Sequence, residues 1–347
     1  MKGIGKVTPL WINRFRGLPN IPKEKLFNHK GHTTEQEIFF KLLHKKPVTV
    51  DEVETYKKVL DFYRTIIPLL QGVDFSTFNK SDFIKFKGYV NYIFNFEYVI
   101  WHQVKVFNTV RVVNNESVLG KRETITNKSF LKYPPLDVVK RIGKYNRASN
   151  DRTTLFYSTD SINSALMEIK PKKGDLITIG LWENMAADKN LTLFPINFGK
   201  EARRINEHSM KGYEAFLDIK GNNHELLGDF LEILFDFLGE EYSKPVSDHI
   251  KYYFSAYFTG KVLRNKEIPF DGVIYPSVQN QFKYENIAIK PESHERFELA
   301  LAIEMEVEDT DYTKIVDKFD MLDIHYILPK NMKATEKIDN ISGHITW

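Results

Sequence analysis

The sequence predicts an α+β protein, with a helical N-terminal region over residues 1–100, a mixed-sheet domain over 101–310 and a C-terminal extension over 311–347. Two observations carry this. Apolar residues recur at helical spacing between positions 34 and 94, and around Gln103 the period changes to the alternation of a strand. Beyond that point strand-like and helix-like segments are intermixed.

Taken in order, Thr34 with Glu37 and Thr49 with Glu52 match the capping box, in which two side chains satisfy each other's orphan backbone donors, so two helices are expected to begin there. The second carries Val53, Tyr56, Val59, Leu60, Tyr63 and Ile67 on one face, and Pro68 is expected to end or kink it. A third helix is expected after Ser81, with Phe83, Phe86, Val90 and Phe94 aligned. Val104, Val106, Val110 and Val112 are then expected on one side of a strand, and the polar stretch 114–133 reads as loop. A helix from Ser161 must stop before Pro171, and strands are expected over 176–181 and 191–194. The segment 224–238 reads as a buried helix, with Leu227, Phe230, Leu231, Leu234 and Leu238 on one face and Gly239 as its stop. After the Asp271-Gly272 turn, Val273-Ile274-Tyr275 forms a short strand closed by Pro276. Over 297–308, Phe297, Leu299, Leu301, Ile303, Met305 and Val307 alternate with Glu298, Glu304, Glu306 and Glu308, the pattern of a long strand with one solvated acidic face. A strand-like patch over 324–328 is the one signal in the tail.

Composition narrows the function. With 42% hydrophobic and 14% aromatic residues the chain has too much apolar content to remain disordered. A net charge of +3 over 347 residues gives no strong field toward nucleic acid or anionic lipid. There is no cysteine, which excludes disulfides, thiolate nucleophiles and cysteine-ligated zinc, and fits a reducing compartment. The first fifteen residues hold no apolar run of signal-peptide type, and the richest apolar stretch, 230–238, is broken by Glu232 and Asp236. A cytoplasmic protein without membrane contact is expected. The bases and aromatics over 80–87 have the spacing of an amphipathic helix, so direct nucleic-acid binding is not expected.

Common nucleotide and metal signatures are missing. No G-x-G-x-x-G opens a helix, there is no P-loop and no H-E-x-x-H, and the close pair His29 and His32 lacks a third ligand nearby, so no metal is expected. Three separate segments carry the available chemistry. Glu168 falls in the last turn of its helix, where the macrodipole is already negative and a carboxylate costs about 0.3–1 kcal/mol. Ser164 and Ala165 precede it by four and three residues, so only small side chains crowd its approach. Arg111, at a strand end, can present a planar fork to phosphate oxygens. Ser277 follows a proline at the end of another strand. Each has an ordinary explanation alone, as surface charge, solvated arginine and turn residue, and Tyr157 reads equally as core.

Together these segments resemble the RES-domain family, named for an arginine, a glutamate and a serine. Arg111 sits in a strand as the family arginine does. The run from Leu155-Phe156-Tyr157 to Ala165-Leu166-Met167-Glu168 resembles the family's tyrosine, polar turn and alanine-rich helix ending in glutamate. Phe270-Asp271-Gly272-Val273-Ile274-Tyr275-Pro276-Ser277 resembles its third block, and Asn286 falls where a family asparagine often follows. The likeness spans about residues 104–310. One motif departs: where the family often has glycine, arginine, an aromatic and asparagine, this chain reads Gly143-Lys144-Tyr145-Asn146. A lysine lacks the bidentate grip of guanidinium, and Arg147 or Arg152 is the candidate substitute.

The resemblance implies an ADP-ribosyltransferase-like mixed sheet core and an enzyme that consumes NAD as substrate, commonly a bacterial toxin restrained by a helix-turn-helix antitoxin. Nicotinamide leaves a pyridinium as a neutral molecule, so no general acid is required and stabilising the sugar oxocarbenium is the main task. On this reading Glu168 holds the ribose hydroxyls near the developing cation, and Arg111 binds the diphosphate or an attacking phosphate. Tyr157 stacks near nicotinamide, while Ser277, Lys144 and Asn286 contact substrate. Water, phosphate or a protein side chain could each capture the sugar, making the enzyme a glycohydrolase, a phosphorylase or a protein ADP-ribosyltransferase. A non-catalytic nucleotide sensor is the alternative from a different class.

Overall fold

The computed structural model describes residues 34–94, 102–196, 200–222, 224–244, 248–266, 268–310 and 327–347. His29 and His32 lie outside them. The chain divides into two compact units, residues 1–99 with 213–238 and residues 100–212 with 239–347.

In the first unit, α1 (Thr34–Leu43), α2 (Val50–Gln71) and α3 (Lys80–Ile93) follow one another. The Thr49–Glu52 capping box forms in both directions and starts α2. Pro68 does not end α2, which runs on to Gln71 and buries Tyr56, Val59, Leu60, Ile66, Ile67 and Leu70. The cap of α3 is Asn79, paired reciprocally with Asp82, rather than Ser81. Phe39, Tyr56 and Tyr63 meet the ring of Phe230 edge-on at 5.9, 6.3 and 5.1 Å, a geometry that aromatic quadrupoles favour.

The second unit is built on a large, mostly antiparallel sheet. Among the described residues its strands are β1 (His102–Lys105), β2 (Asn108–Asn114), β3 (Phe156–Thr159), β4 (Leu176–Asn184), β5 (Asn190–Pro195), β6 (Gly272–Pro276), β7 (Glu285–Ile289), β8 (Phe297–Thr310) and β9 (Ile327–Ala334). They lie in the order β1-β5-β6-β7-β3-β2-β4-β8-β9, and β5 with β6 is the parallel pair. The C-terminal residues thus supply a strand of this sheet. Of the patch expected over 324–328, positions 327 and 328 begin β9, and 324–326 lie outside the described residues.

Several expectations are corrected. The four valines do not share one strand face. A break after Lys105 separates β1 from β2, so Val104 and Val106 join one core cluster and Val110 and Val112 another. Part of 114–133 is helical: α4 (Asn115–Leu119) is capped by Asn114 and ended by Gly120 in the left-handed region, at φ 74°. The helix expected to stop at Gly239 runs through it as α6 (Glu225–Ser243), because the buried ring of Tyr242 and its hydroxyl bond to the Ser255 carbonyl (3.0 Å) outweigh the roughly 1 kcal/mol that glycine costs a helix. Pairing along β8 shifts register at Leu181/Trp182, where a bulge turns the strand over. Phe297 and Leu299 pack in the first cluster, while Met305, Val307 and the partly buried Ile303 pack in the second. Glu304 is therefore buried, accepting from Asn115 Nδ2, Thr124 Oγ1 and Lys333 Nζ at 2.9 Å each, instead of lying on a solvated face.

The helix predicted from Ser161 is α5 (Ile162–Ile169). Ser161 caps it through Ser164 N–H at 3.1 Å, and Lys170 ends it at φ 44°. It packs on β2 and β3, with Ala165, Leu166 and Met167 against Val110, Val112 and Ile179. Amphipathic spacing thus turns Glu168 outward at its C-terminal end. No helix among the described residues is long and apolar enough to cross a membrane.

Candidate functional site

Glu168, exposed at the end of α5, is held through one oxygen. Its Oε1 accepts from Ser277 Oγ at 2.6 Å and from Asn286 Nδ2 at 2.7 Å. Both donors are buried, and each is delivered by the sheet: Ser277 directly follows β6, and Asn286 pairs across β7 with Tyr275 on one side and Thr159 on the other. Two donors on one oxygen fix the carboxylate plane. This offsets the unfavourable helix-end position.

Ser277 has no exposed surface, and its hydroxyl is fully committed. It donates to Glu168 and accepts from the Asn280 backbone N–H (3.2 Å) and Nδ2 (2.7 Å). It orients the glutamate instead of presenting itself to a ligand. Asn280 was not singled out from the sequence. Its signal there is an asparagine three residues after a serine, an ordinary side-chain turn pattern.

Arg111 and Tyr157 form a second pair. Arg111 alternates with Val110 and Val112, which pack against α5, so it leaves β2 on the other side, with its guanidinium 5.6 Å from the Phe156 ring. Strands β2 and β3 pair only at Val110–Thr159, and Arg111 Nη1 donates at 2.9 Å to the Tyr157 carbonyl. Its Nε is buried with no partner among the described residues, and burial pulls the guanidinium down to about 10, still protonated at neutral pH. The Tyr157 hydroxyl donates to Ser149 Oγ (3.0 Å), accepts from Ala148 N–H (3.1 Å), and is pushed up by burial to about 12. The structure therefore brings Glu168, Ser277 and Asn286 into contact and sets Arg111 against Tyr157 on the neighbouring strand. Arg111 makes no hydrogen bond to the glutamate cluster.

Lys144 is exposed after the short helix Leu136–Ile142, with no hydrogen bond or ion pair among the described residues. Arg147 is the basic residue that turns inward. It donates to the Tyr242 carbonyl and stacks 5.1 Å over Tyr252, and its charge bears on the hydroxyls of Tyr157 and Tyr275. Burial raises Tyr275 well above the usual tyrosine range, with Tyr157 and the nearby Glu168 charge adding to the shift. Arg152 is exposed and engages Asn150 through its backbone N–H.

Next to Asn286 in β7, Glu285 is buried with no partner for Oε1 among the described residues, and burial raises it to about 8. Among the described residues no group of three or more His, Asp or Glu is placed to hold a metal. Comparison with protein-family models, curated proteins and solved structures returns no match to this chain.

Proposed function

We propose that this chain is an NAD-consuming enzyme with an ADP-ribosyltransferase-like core of the RES type. It cleaves the nicotinamide–ribose bond as a glycohydrolase or phosphorylase, and acts in the cytoplasm as the toxin of a pair whose antitoxin is a helix-turn-helix protein. The observation that carries the reading is an outward-facing carboxylate, Glu168, tied through one oxygen by buried Ser277 and Asn286, which are 109 and 118 residues away. A surface glutamate needs no such support.

The chemistry follows from what each group has left to offer. Glu168 Oε2 carries no protein donor among the described residues, so it accepts from a ribose hydroxyl and sets negative charge beside the developing oxocarbenium. Nicotinamide departs neutral and needs no acid. Arg111 supplies a permanent positive charge for diphosphate or incoming phosphate, and Tyr157, held by Ser149 and Ala148, offers a fixed ring to nicotinamide. A preorganised carboxylate of this kind contributes about 100-fold or more.

The test is release of nicotinamide from NAD by the purified protein, with products separated into free ADP-ribose, phosphorylated ADP-ribose formed only with phosphate, and label transferred to protein. Glu168→Gln is expected to keep the Ser277 and Asn286 contacts and to lose about 100-fold in rate. If NAD binds but no nicotinamide appears, and Glu168→Gln alters nothing, the chain is a nucleotide sensor and the proposal fails.

A further inference from the structure

Asn280 is buried, chemically specific, and not used by the reaction scheme above. Its role follows from counting hydrogens. A serine hydroxyl has one hydrogen and two lone pairs. Asn280 fills both acceptor positions of Ser277 Oγ, with its backbone N–H at 3.2 Å and Nδ2 at 2.7 Å. The hydroxyl hydrogen then has one acceptor left, Glu168 Oε1 at 2.6 Å. The second hydrogen on Asn280 Nδ2 is met by Ser164 Oγ at 3.0 Å, one helical turn before Glu168 on α5. Asn280 thus grips the glutamate's helix at Ser164 and the glutamate's donor at Ser277.

The connection between β6 and β7 is shaped around this contact. Gln281 and Phe282 both take left-handed conformations, at φ 51° and 66°, which L residues rarely adopt. The turn is closed by Phe282 N–H to the Ser277 carbonyl (2.8 Å), Lys283 N–H to the Asn280 carbonyl (3.1 Å) and Ser277 N–H to the Tyr284 carbonyl (2.8 Å).

We propose that Asn280 is a positioning residue for Glu168: by occupying both lone pairs of Ser277 it sends the serine proton to Oε1, so that Oε2 alone is presented to a ligand's hydroxyl donors. The proposal rests on reading Glu168 as the ribose-binding carboxylate, and it is tested by two separable measurements. Neutron diffraction from the deuterated wild-type protein should place the Ser277 deuteron on the line to Glu168 Oε1. A deuteron directed at Asn280, as a turned-over amide would require, overturns the proposal whatever the protein does to NAD.

In NAD cleavage, Asn280→Asp puts acceptors where the donors were and draws the serine proton away. It is expected to lower kcat about 10- to 100-fold with KM changed less than about threefold. In a Ser277→Ala background the same substitution should cost nothing further, since the linking hydroxyl is gone. Full additivity of the two losses, or a loss confined to KM, overturns the positioning role. Absence of nicotinamide release from the wild type would instead overturn the proposed function, and the deuteron would still decide the direction of the hydrogen bond.

Discussion

His294 has no exposed surface, and neither ring nitrogen has a partner among the described residues. Phe156 and Trp182 enclose it at 4.0 and 4.7 Å, and burial, reinforced by Lys132, Arg111 and Lys128, lowers it from 6.5 to about 3. Unfolded, the imidazole takes a proton near 6.5, whereas folded it does not until about 3. Between those values the unfolded chain binds more protons, so stability is lost as pH drops, by up to roughly 1.4 kcal/mol per unit. His294→Phe should remove this contribution while keeping the packing, and denaturant melts at pH 7 and pH 5 should separate the two proteins. Parallel losses in both would show that the ring does not govern acid stability. Glu285 runs the opposite way: its carboxyl, raised from 4.5 to about 8, binds more protons folded than unfolded, so its contribution declines as pH rises through that window. Glu285→Gln should flatten the decline between pH 6 and 8 in the same melts. Neither burial was legible in the sequence, since a lone histidine or glutamate carries no local mark of what encloses it. Glu168 was legible because a carboxylate at a helix C-terminus breaks a local rule.

At the scale of elements, caps and short periodicities read well. Thr49 with Glu52, Ser161, and the strand closed by Pro276 fall where local chemistry puts them, because each involves groups within four residues. Expectation and structure part where packing overrides propensity, at Gly239 within α6, and where a bulge turns β8 over, while Pro68 lies inside the last turn of α2. Gly272 shows how closely the strands under the site approach. A Cβ there would lie 2.2 Å from the Ala288 carbonyl oxygen, a backbone atom that cannot rotate aside. Gly272→Ala is expected to destabilise the protein by about 1–3 kcal/mol and to displace β6 from β7, with Ser277 at its end. An unchanged melting temperature with full activity would show that the strands can separate without cost.

For the whole molecule, sheet order decides which distant residues become neighbours. Placing β7 between β6 and β3 carries Asn286 beside Tyr275 and Thr159 and brings Ser277 over the end of α5. Expression of the intact protein in bacteria is expected to lower cellular NAD and arrest growth, with Glu168→Gln relieving both. Growth arrest that survives the substitution with NAD unchanged would count against the toxin assignment. The residues of the candidate site were in large part visible beforehand, but their division of labour was not. Ser277 and Asn286 hydrogen-bond the glutamate, Arg111 donates to the Tyr157 carbonyl of the neighbouring strand while keeping its charge, and Lys144 is exposed.

By itself the sequence determined the helices that begin near Thr34, Thr49, Ser81, Ser161 and His224, most strands, the α+β class and the chemical types at the site, since these depend on periodicity, caps and residue identity within a few positions. Only the tertiary structure decided that Asn280 completes the support of Glu168, that Glu304 and His294 are buried, and on which side of the sheet Arg111 leaves β2. Those outcomes depend on strand order and register between segments more than one hundred residues apart, where a one-residue shift reverses a face and no local pattern records the partner.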